Sequence, residues 1–176
     1  MINIKCDDKF IKDNIVDLLN QKKLFLRFHH NDKHFFNIKI IMKDSSLNFL
    51  IEDEKITFRL PKSFNLIFED FFDLISNKAI YIQDYEYYPF KNLIKKNGNN
   101  IFLSEIQNII MCNLLLNTST GIKKIELIKI IWPNDKDIFF NKLDTHLTNL
   151  KNYINSESGI DLKFFSKSGL IKLIID

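Results

Sequence analysis

The stretch most informative about function lies between Trp132 and Ile154, where Lys, Thr and Asn side chains outnumber carboxylates. Within it, Leu143, Leu147, Leu150 and Ile154 recur at the +4, +3, +4 spacing of an apolar helical stripe. The intervening positions therefore face away from that stripe. Amide, hydroxyl and ammonium groups on such a face can hydrogen-bond to the polar lining of a groove. We predict an amphipathic helix whose outward side carries side chains that can reach into a groove.

A hairpin and a first helix are predicted upstream of this helix. Two apolar runs flank Asn97-Gly98, the dipeptide that best tolerates the positive φ angles of a tight turn. Ser104 and Gln107 then fit an S-x-x-Q capping box. The pattern predicts a helix from about Glu105 to Leu116.

A second helix and a C-terminal hairpin complete this part of the chain. The run IKKIELIKIIW predicts a helix whose buried face holds Ile125, Ile128 and Trp132. Pro133 cannot continue it and is expected to end it. Two strand-like runs flank the SKSG turn at 166–169 and predict a terminal hairpin.

The beginning of the chain predicts a strand, a helix, several strands and another helix. INIKC alternates as a strand does, and an acidic cap precedes the helically spaced residues Phe10, Ile11, Ile15, Leu18 and Leu19. Four apolar runs between polar turns then predict strands, namely LFLRF, FFNIKIIM, LNFLI and KITFRL. Helical spacing returns after Pro61 at Leu66, Ile67, Phe71 and Leu74.

Length and charge set the domain organisation. A chain of 176 residues, 45% hydrophobic, can bury a core and form one domain or two small ones. Residues 1–88 carry 13 Lys and Arg against 14 Asp and Glu, whereas residues 89–176 carry 12 against 8. We predict domains at 1–78 and 79–176, with the tyrosine-rich stretch before Pro89 as their junction. The basic bias is too mild to identify a nucleic-acid binder on charge alone.

Several other functions find no support in the sequence. Cys6 and Cys112 are far apart, which favours a reducing, cytoplasmic location over a disulfide framework. No apolar run is long enough for a membrane span. His29, His30 and His34 are interpreted as part of a polar turn, with a metal site as the alternative. Without a glycine-rich phosphate loop or a nucleophile elbow, we predict no enzyme, cofactor or metal.

From about Phe90 to Ile175 the chain resembles the C-terminal DNA-binding domain of OmpR/PhoB-type response regulators. The resemblance rests on four segments in order, IFLSEIQNIIMCNLL, ELIKIIWP, LDTHLTNLKNYI and IDLKFFSKSGLIKL. It implies an α+β fold in which a C-terminal winged helix, made of a hairpin, three helices and a wing hairpin, follows a small α/β module. It also implies a sequence-specific transcription regulator that binds double-stranded DNA.

The same resemblance implies which residues contact DNA, with 138–154 as the recognition helix in the major groove. Its outward face holds Asn141, Lys142, Thr145, Thr148, Asn149 and Asn152, with Lys151 at the flank. Asn can pair with adenine, Thr can contact the thymine methyl group, and Lys can meet guanine or phosphate. The wing tip, Lys167 and Ser168, would contact phosphate or the minor groove. Asp144 and His146 match family positions and are predicted to be structural.

The first domain resembles parts of a receiver domain. INIKCDDKFIKDNIVDLL is similar to its first strand and helix, with Asp7 and Asp8 at the place of the magnesium-binding acids. The chain is too short for the remaining elements, and Leu60 precedes Pro61 where the family has lysine. Asp44 is the only candidate phosphate acceptor. We predict a shrunken, receiver-like or unrelated α/β module that is not phosphorylated and pairs two protomers into a homodimer.

Three functions remain open at this point. The first is a DNA-binding regulator whose loop 133–137 faces RNA polymerase. The second is a winged-helix adaptor that binds protein instead of DNA, and the third is a phosphorylated response regulator. The family has Arg where Thr148 and Asn149 stand here, and fewer cations release fewer counterions and weaken binding. An AT-rich gene would also place Asn, Lys and Thr on any exposed helix.

Overall fold

The computed structural model describes residues 2–22, 34–135 and 140–175. The chain is mixed α+β and divides into two compact units, Met1–Lys78 and Ala79–Asp176. No helix within the described ranges is both long and apolar enough to cross a bilayer. The predicted strand LFLRF, the residues His29 and His30, and the predicted helix start at 138 lie outside the described residues.

The first unit contains four described strands and two helices. These are β1 (Ile2–Cys6), α1 (Lys9–Gln21), β2 (Phe36–Lys43), β3 (Ser46–Ile51), β4 (Glu54–Arg59) and α2 (Phe64–Ser76). Asp8 caps α1 by accepting a 3.0 Å hydrogen bond from the backbone N–H of Ile11, as the acidic cap predicted.

The sheet of this unit differs from a receiver sheet. Among the described strands the order is β1-β2-β3-β4, with β1 and β2 parallel and β2, β3 and β4 paired antiparallel. Receivers are doubly wound folds, in which parallel strands need a crossover after each strand. Here tight turns join β2 to β3 and β3 to β4, which forces the antiparallel pairing. The described part of this unit is therefore α+β rather than the expected α/β module, and the resemblance to a receiver is not confirmed.

Aromatic residues form the core between this sheet and α2. The rings of Phe49 and Phe71 lie 4.8 Å apart, and Phe58 meets Phe49 edge-on at 5.6 Å. Two residues predicted on the apolar helical stripes lie at the surface instead, because Phe10 and Leu66 are 75% and 58% exposed. Each sits about 100° around its helix from a buried neighbour, which is enough to leave the core.

The second unit contains seven described strands and three helices. These are β5 (Ile80–Ile82), β6 (Tyr85–Tyr88), β7 (Leu93–Lys96), β8 (Asn99–Phe102), α3 (Glu105–Leu116), β9 (Ile122–Lys123), α4 (Lys124–Ile131), α5 (Phe140–Ser158), β10 (Lys163–Lys167) and β11 (Leu170–Ile174). A 3₁₀ turn, Pro89–Lys91, separates β6 from β7. The predicted order is a hairpin, three helices and a terminal hairpin, and the described elements follow it except that the first hairpin is part of a larger sheet.

Two small sheets frame the helices. The expected first hairpin is in fact a four-stranded antiparallel sheet, β5-β6-β7-β8, and the tyrosine-rich stretch predicted as a junction forms β5 and β6. Asn97 and Gly98 both have positive φ in the β7–β8 turn, as predicted. The terminal hairpin pairs through β11 with β9, giving the order β10-β11-β9. Gly121 precedes β9 with φ +73°, and a Cβ there would lie 2.7 Å from Leu170.

Helix α3 begins with the predicted capping box and is held to β6 by buried polar groups. Ser104 and Gln107 form the reciprocal cap. The Tyr87 hydroxyl donates to Asn108 and lies 2.8 Å from the Cys112 sulfur, while Asn108 Nδ2 donates to the Pro89 carbonyl at 2.9 Å. Burial raises the pKa of Cys112 to about 12 and that of Tyr87 well above its ordinary value.

These raised pKa values predict a loss of stability in alkali. The unfolded chain releases the thiol proton near the ordinary pKa of 9.0, whereas the folded unit keeps it until about 12. Unfolding is therefore favoured as pH rises between those values. Urea unfolding can be followed by the fluorescence of Trp132, the only tryptophan and a residue of the second unit. Between about pH 8 and pH 10.5, we expect the free energy of unfolding to fall on the order of 1 to 2 kcal/mol less in Cys112→Ala than in the wild type. An equal fall in the two proteins would show that the Cys112 thiol does not cause the loss of stability in alkali.

Of the face predicted for α4, Ile128 is buried, but Ile125 and Trp132 are not fully buried. Its buried residues are Leu127, Ile128 and Ile131, whereas Ile125 is 36% exposed and Trp132 is half-buried beyond the helix end. The helix begins at Lys124, directly after β9. Within it, Leu127 and Ile131 are about one turn apart and face the neighbouring helices. The expected end of α4 before Pro133 is confirmed.

Candidate nucleic-acid interface

Helix α5 is fixed by the leucine stripe predicted from the sequence. Leu143, Leu150 and Ile154 are fully buried, and Leu147 is 5% exposed. Spacings of four and three residues keep all four side chains on one side of the helix, where α3 and α4 pack against it. The opposite side of α5 is therefore held outward by the core of the unit.

Six of the predicted contact residues are exposed on that opposite side. They are Asn141, Lys142, Thr145, Thr148, Asn149 and Asn152. We call the five uncharged residues among them the outer face, and Lys142 lies at its edge. From Asn141 to Asn152 it runs for about 16 Å along the helix. Lys151, predicted at the flank, is half-buried.

The amide and hydroxyl side chains of the outer face differ in their hydrogen bonds. Thr145 Oγ1 donates to the Asn141 carbonyl at 2.8 Å, and Thr148 Oγ1 donates to the Asp144 carbonyl at 2.9 Å. Both hydroxyl protons are thus used within the helix, which leaves each threonine a methyl group and acceptor capacity for a partner. By contrast, the side-chain amides of Asn141, Asn149 and Asn152 bond to none of the described residues and keep both donor and acceptor capacity.

The lysines next to the outer face are paired, which the sequence did not indicate. Lys142 Nζ lies 2.9 Å from Asp135 and 4.1 Å from the centre of the Trp132 ring. Lys151 Nζ lies 3.1 Å from Asp161. All four side chains of these two ion pairs are roughly half exposed, so the pairs are in contact with solvent.

Asp144 and His146 have the structural contacts expected of them. Asp144 accepts from Lys124 at 2.6 Å, and the Lys124 side chain is only 14% exposed. The His146 ring lies 5.3 Å from the Trp132 ring. These contacts join the first residue of α4 and the residue after its end to the first half of α5, and they hold the two helices in a fixed orientation.

The remaining predicted residues lie on another element. Lys167 ends β10, and Ser168 follows in the tight turn with φ 51°. Both are exposed, and Lys167 has no ion-pair partner among the described residues. The hairpin tip therefore presents a cation that none of the described carboxylates pairs with, on an element other than α5.

Four residues at this surface were not selected from the sequence as candidates for the site, namely Lys124, Trp132, Asp135 and Asp161. Their partners are 20, 10, 7 and 10 positions away, so each contact depends on how α5 packs rather than on a local motif. The absence of arginine from residues 79–176 is visible in the sequence and limits the cations of this unit to lysine.

Comparison with known proteins finds similarity in structure but not in sequence families. No protein-family profile and no curated protein sequence matches the chain. It is similar to the DNA-binding domain of E. coli CadC, with a TM-score of 0.48 and 15% identity over 57% of this chain and 95% of that one. It is also similar to the C-terminal domain of the nisin resistance regulator NsrR, a lantibiotic response regulator. There the TM-score is 0.43, with 20% identity over 55% of this chain and 96% of that one.

Proposed function

We propose that the second unit is a winged-helix domain that binds double-stranded DNA, and that the chain is a transcription regulator. The observation that carries this proposal is the outer face of α5. The amides of Asn141, Asn149 and Asn152, which bond to none of the described residues, stand with the outward threonines on a helix whose other side is buried in the core. A B-form major groove admits an α-helix, and amides and methyl groups are the groups that read its base edges.

The chemistry of the outer face favours A·T base pairs. Asparagine can bond in a bidentate manner to the N6 and N7 atoms of adenine, and a threonine methyl can pack against the thymine methyl. Arginine, the commonest reader of guanine, is absent from this unit. The 16 Å length of the face corresponds to about five base pairs.

Lysines at the edges of this surface are the proposed phosphate contacts. Lys142 and Lys151 lie beside the outer face, and Lys167 with Ser168 forms the hairpin tip. Phosphate contacts of this kind position a protein on the duplex without reading its sequence. We therefore assign base reading to the asparagines and threonines, and affinity to the lysines.

The first unit is proposed to pair two protomers without phosphorylation. In the parallel pairing of β1 with β2, Cys6 lies opposite Ile40. If this register continues past Cys6, Asp44 lies about 7 to 10 Å further along the strand direction than Asp7 and Asp8. Asp44 itself occupies the tight β2–β3 turn with φ 52°, and Asp8 already caps α1. Among the described strands, β1 and β4 are the sheet edges, and edge strands can pair with a second copy.

Activation through RNA polymerase is a further part of the proposal. The loop 133–137 would present its polar residues to the polymerase, as the family resemblance implies. Residues 136 and 137 of this loop lie outside the described residues, so the proposal rests on the sequence alone.

The proposed function is tested by selecting duplexes from a random library on the purified full-length chain. We expect enrichment of A·T-rich sites, and tighter binding in fluorescence anisotropy to A·T-rich than to G·C-rich duplexes of equal length. Protein that retains no duplex at low salt would contradict the proposal. Labelling with acetyl phosphate is expected to leave the chain unmodified, and incorporation at Asp44 would favour a phosphorylated response regulator.

A protein-binding adaptor is the second candidate, and one feature of the terminal hairpin favours it. Phe165, Ile174 and Ile175 are each between 40% and 46% exposed and line an open cavity together with Thr118 and Ser119. Apolar residues grouped in this way are typical of protein contacts. If the library selection fails, the deciding experiment is the capture of a specific protein partner. It compares the wild type with a variant that has alanine at Phe165 and Ile174.

A further inference from the structure

Each lysine that borders the outer face of α5 forms an ion pair with a carboxylate that lies outside this helix. Asp135 comes from the segment before α5 and pairs with Lys142, and Asp161 follows α5 and pairs with Lys151. On a helix, Lys142 stands about 60° to one side of Thr145, whereas Lys151 lies beyond Asn152 on the other side. The two ion pairs therefore lie along opposite borders of the outer face.

We infer that Asp135 and Asp161 compete with DNA phosphates for Lys142 and Lys151, and so lower the affinity of the chain for DNA. This inference rests on the proposed DNA-binding function. It adds that the two carboxylates, which make no proposed contact with DNA, set how tightly the duplex is held.

The physical basis is the neutral charge of each border in the free protein. Each lysine is 2.9 or 3.1 Å from its carboxylate, and the residues between the two borders on the outer face are uncharged amides and threonines. A phosphate can replace the carboxylate because exposed ion pairs contribute little to stability. The displaced carboxylate then lies near the phosphate and repels it.

The same exchange affects the salt dependence of binding. A lysine that neutralises a phosphate releases a counterion, which steepens the fall of affinity with salt by about 0.9 per contact. A carboxylate freed at the same moment attracts a cation from solution and offsets part of that release. Removing the carboxylate should therefore raise affinity and steepen the salt dependence together.

The experiment compares the wild type with Asp135→Asn, Asp161→Asn and the double variant, by anisotropy of a labelled A·T-rich duplex across a salt series. The matched control is Asp84→Asn, which makes the same charge change and breaks the 2.9 Å pair with Lys96 on the four-stranded sheet. Circular dichroism and Trp132 fluorescence verify that each variant is folded.

We expect each single variant to bind roughly threefold to fivefold more tightly, and the double variant roughly tenfold or more, with a steeper salt dependence. The Asp84→Asn variant should stay within about twofold of the wild type, because Asp84 pairs with Lys96 on the four-stranded sheet and with neither lysine of α5. Equal or weaker binding by the double variant, while the wild type binds DNA, would overturn the inference alone. An equal gain from Asp84→Asn would also overturn it, since net charge would then explain the effect. If no variant binds any duplex, the proposed function fails as well.

Discussion

Replacing Lys142 and Lys151 together by alanine is expected to weaken duplex binding by roughly 30-fold at physiological salt. Each lysine is a proposed phosphate contact, and its removal also leaves Asp135 or Asp161 without the cation that now neutralises it. The borders of the outer face would change from neutral to negative. We also expect the salt dependence of log affinity to flatten by up to about 1.8, from two lost contacts.

The control for this prediction is the pair Lys95→Ala and Lys96→Ala on β7. It removes the same charge from the same unit, and Lys96 is likewise paired with a carboxylate, Asp84. Anisotropy across a salt series measures both quantities for both variants. Unchanged affinity and slope in the Lys142 and Lys151 variant would reject the assigned face.

Leu150→Ala is expected to destabilise the second unit by about 2 to 5 kcal/mol. Leu150 is fully buried in the middle of the stripe that fixes α5, so truncation leaves a cavity between α5 and its neighbours. Urea unfolding followed by Trp132 fluorescence reports this unit. Because the stripe helps to orient the outer face, DNA binding should weaken in the same variant even where it remains folded.

Ile125→Ala provides the comparison for the core prediction. Ile125 is on the adjacent helix α4 but is 36% exposed, so its truncation leaves less of a cavity. We expect it to cost less than half as much as Leu150→Ala. Similar losses for the two variants would show that the leucine stripe does not dominate the stability of the unit.

Local patterns predicted most of the helices that position the outer face. The capping box at Ser104 and Gln107 marked the start of α3, and the leucine stripe of α5 was found because a 3.6-residue period is encoded within one segment. The Asn97-Gly98 turn was equally local, since only a few residue types adopt two positive φ angles. Exposure of the outer face followed directly from burial of the stripe.

Features that depend on packing between distant segments were missed. The antiparallel pairing of β2 with β3 is decided by the tight turn at Asp44, and a strand pattern does not state its partner. Strands β5 and β6 are short and rich in tyrosine, a composition that indicates a junction from sequence alone, yet Tyr85 and Tyr87 are buried. The ion pairs of Lys142 and Lys151 likewise join residues from different segments.

The most direct test of the outer face is an NMR titration of isotope-labelled full-length chain with a duplex taken from the library selection. We expect the side-chain amide signals of Asn141, Asn149 and Asn152 to shift on binding. Those of Asn3 and Asn37, which bond to each other on the sheet of the first unit, should remain in place. Tight binding that leaves the three α5 asparagines unshifted would contradict the account, because the duplex would then lie on another surface.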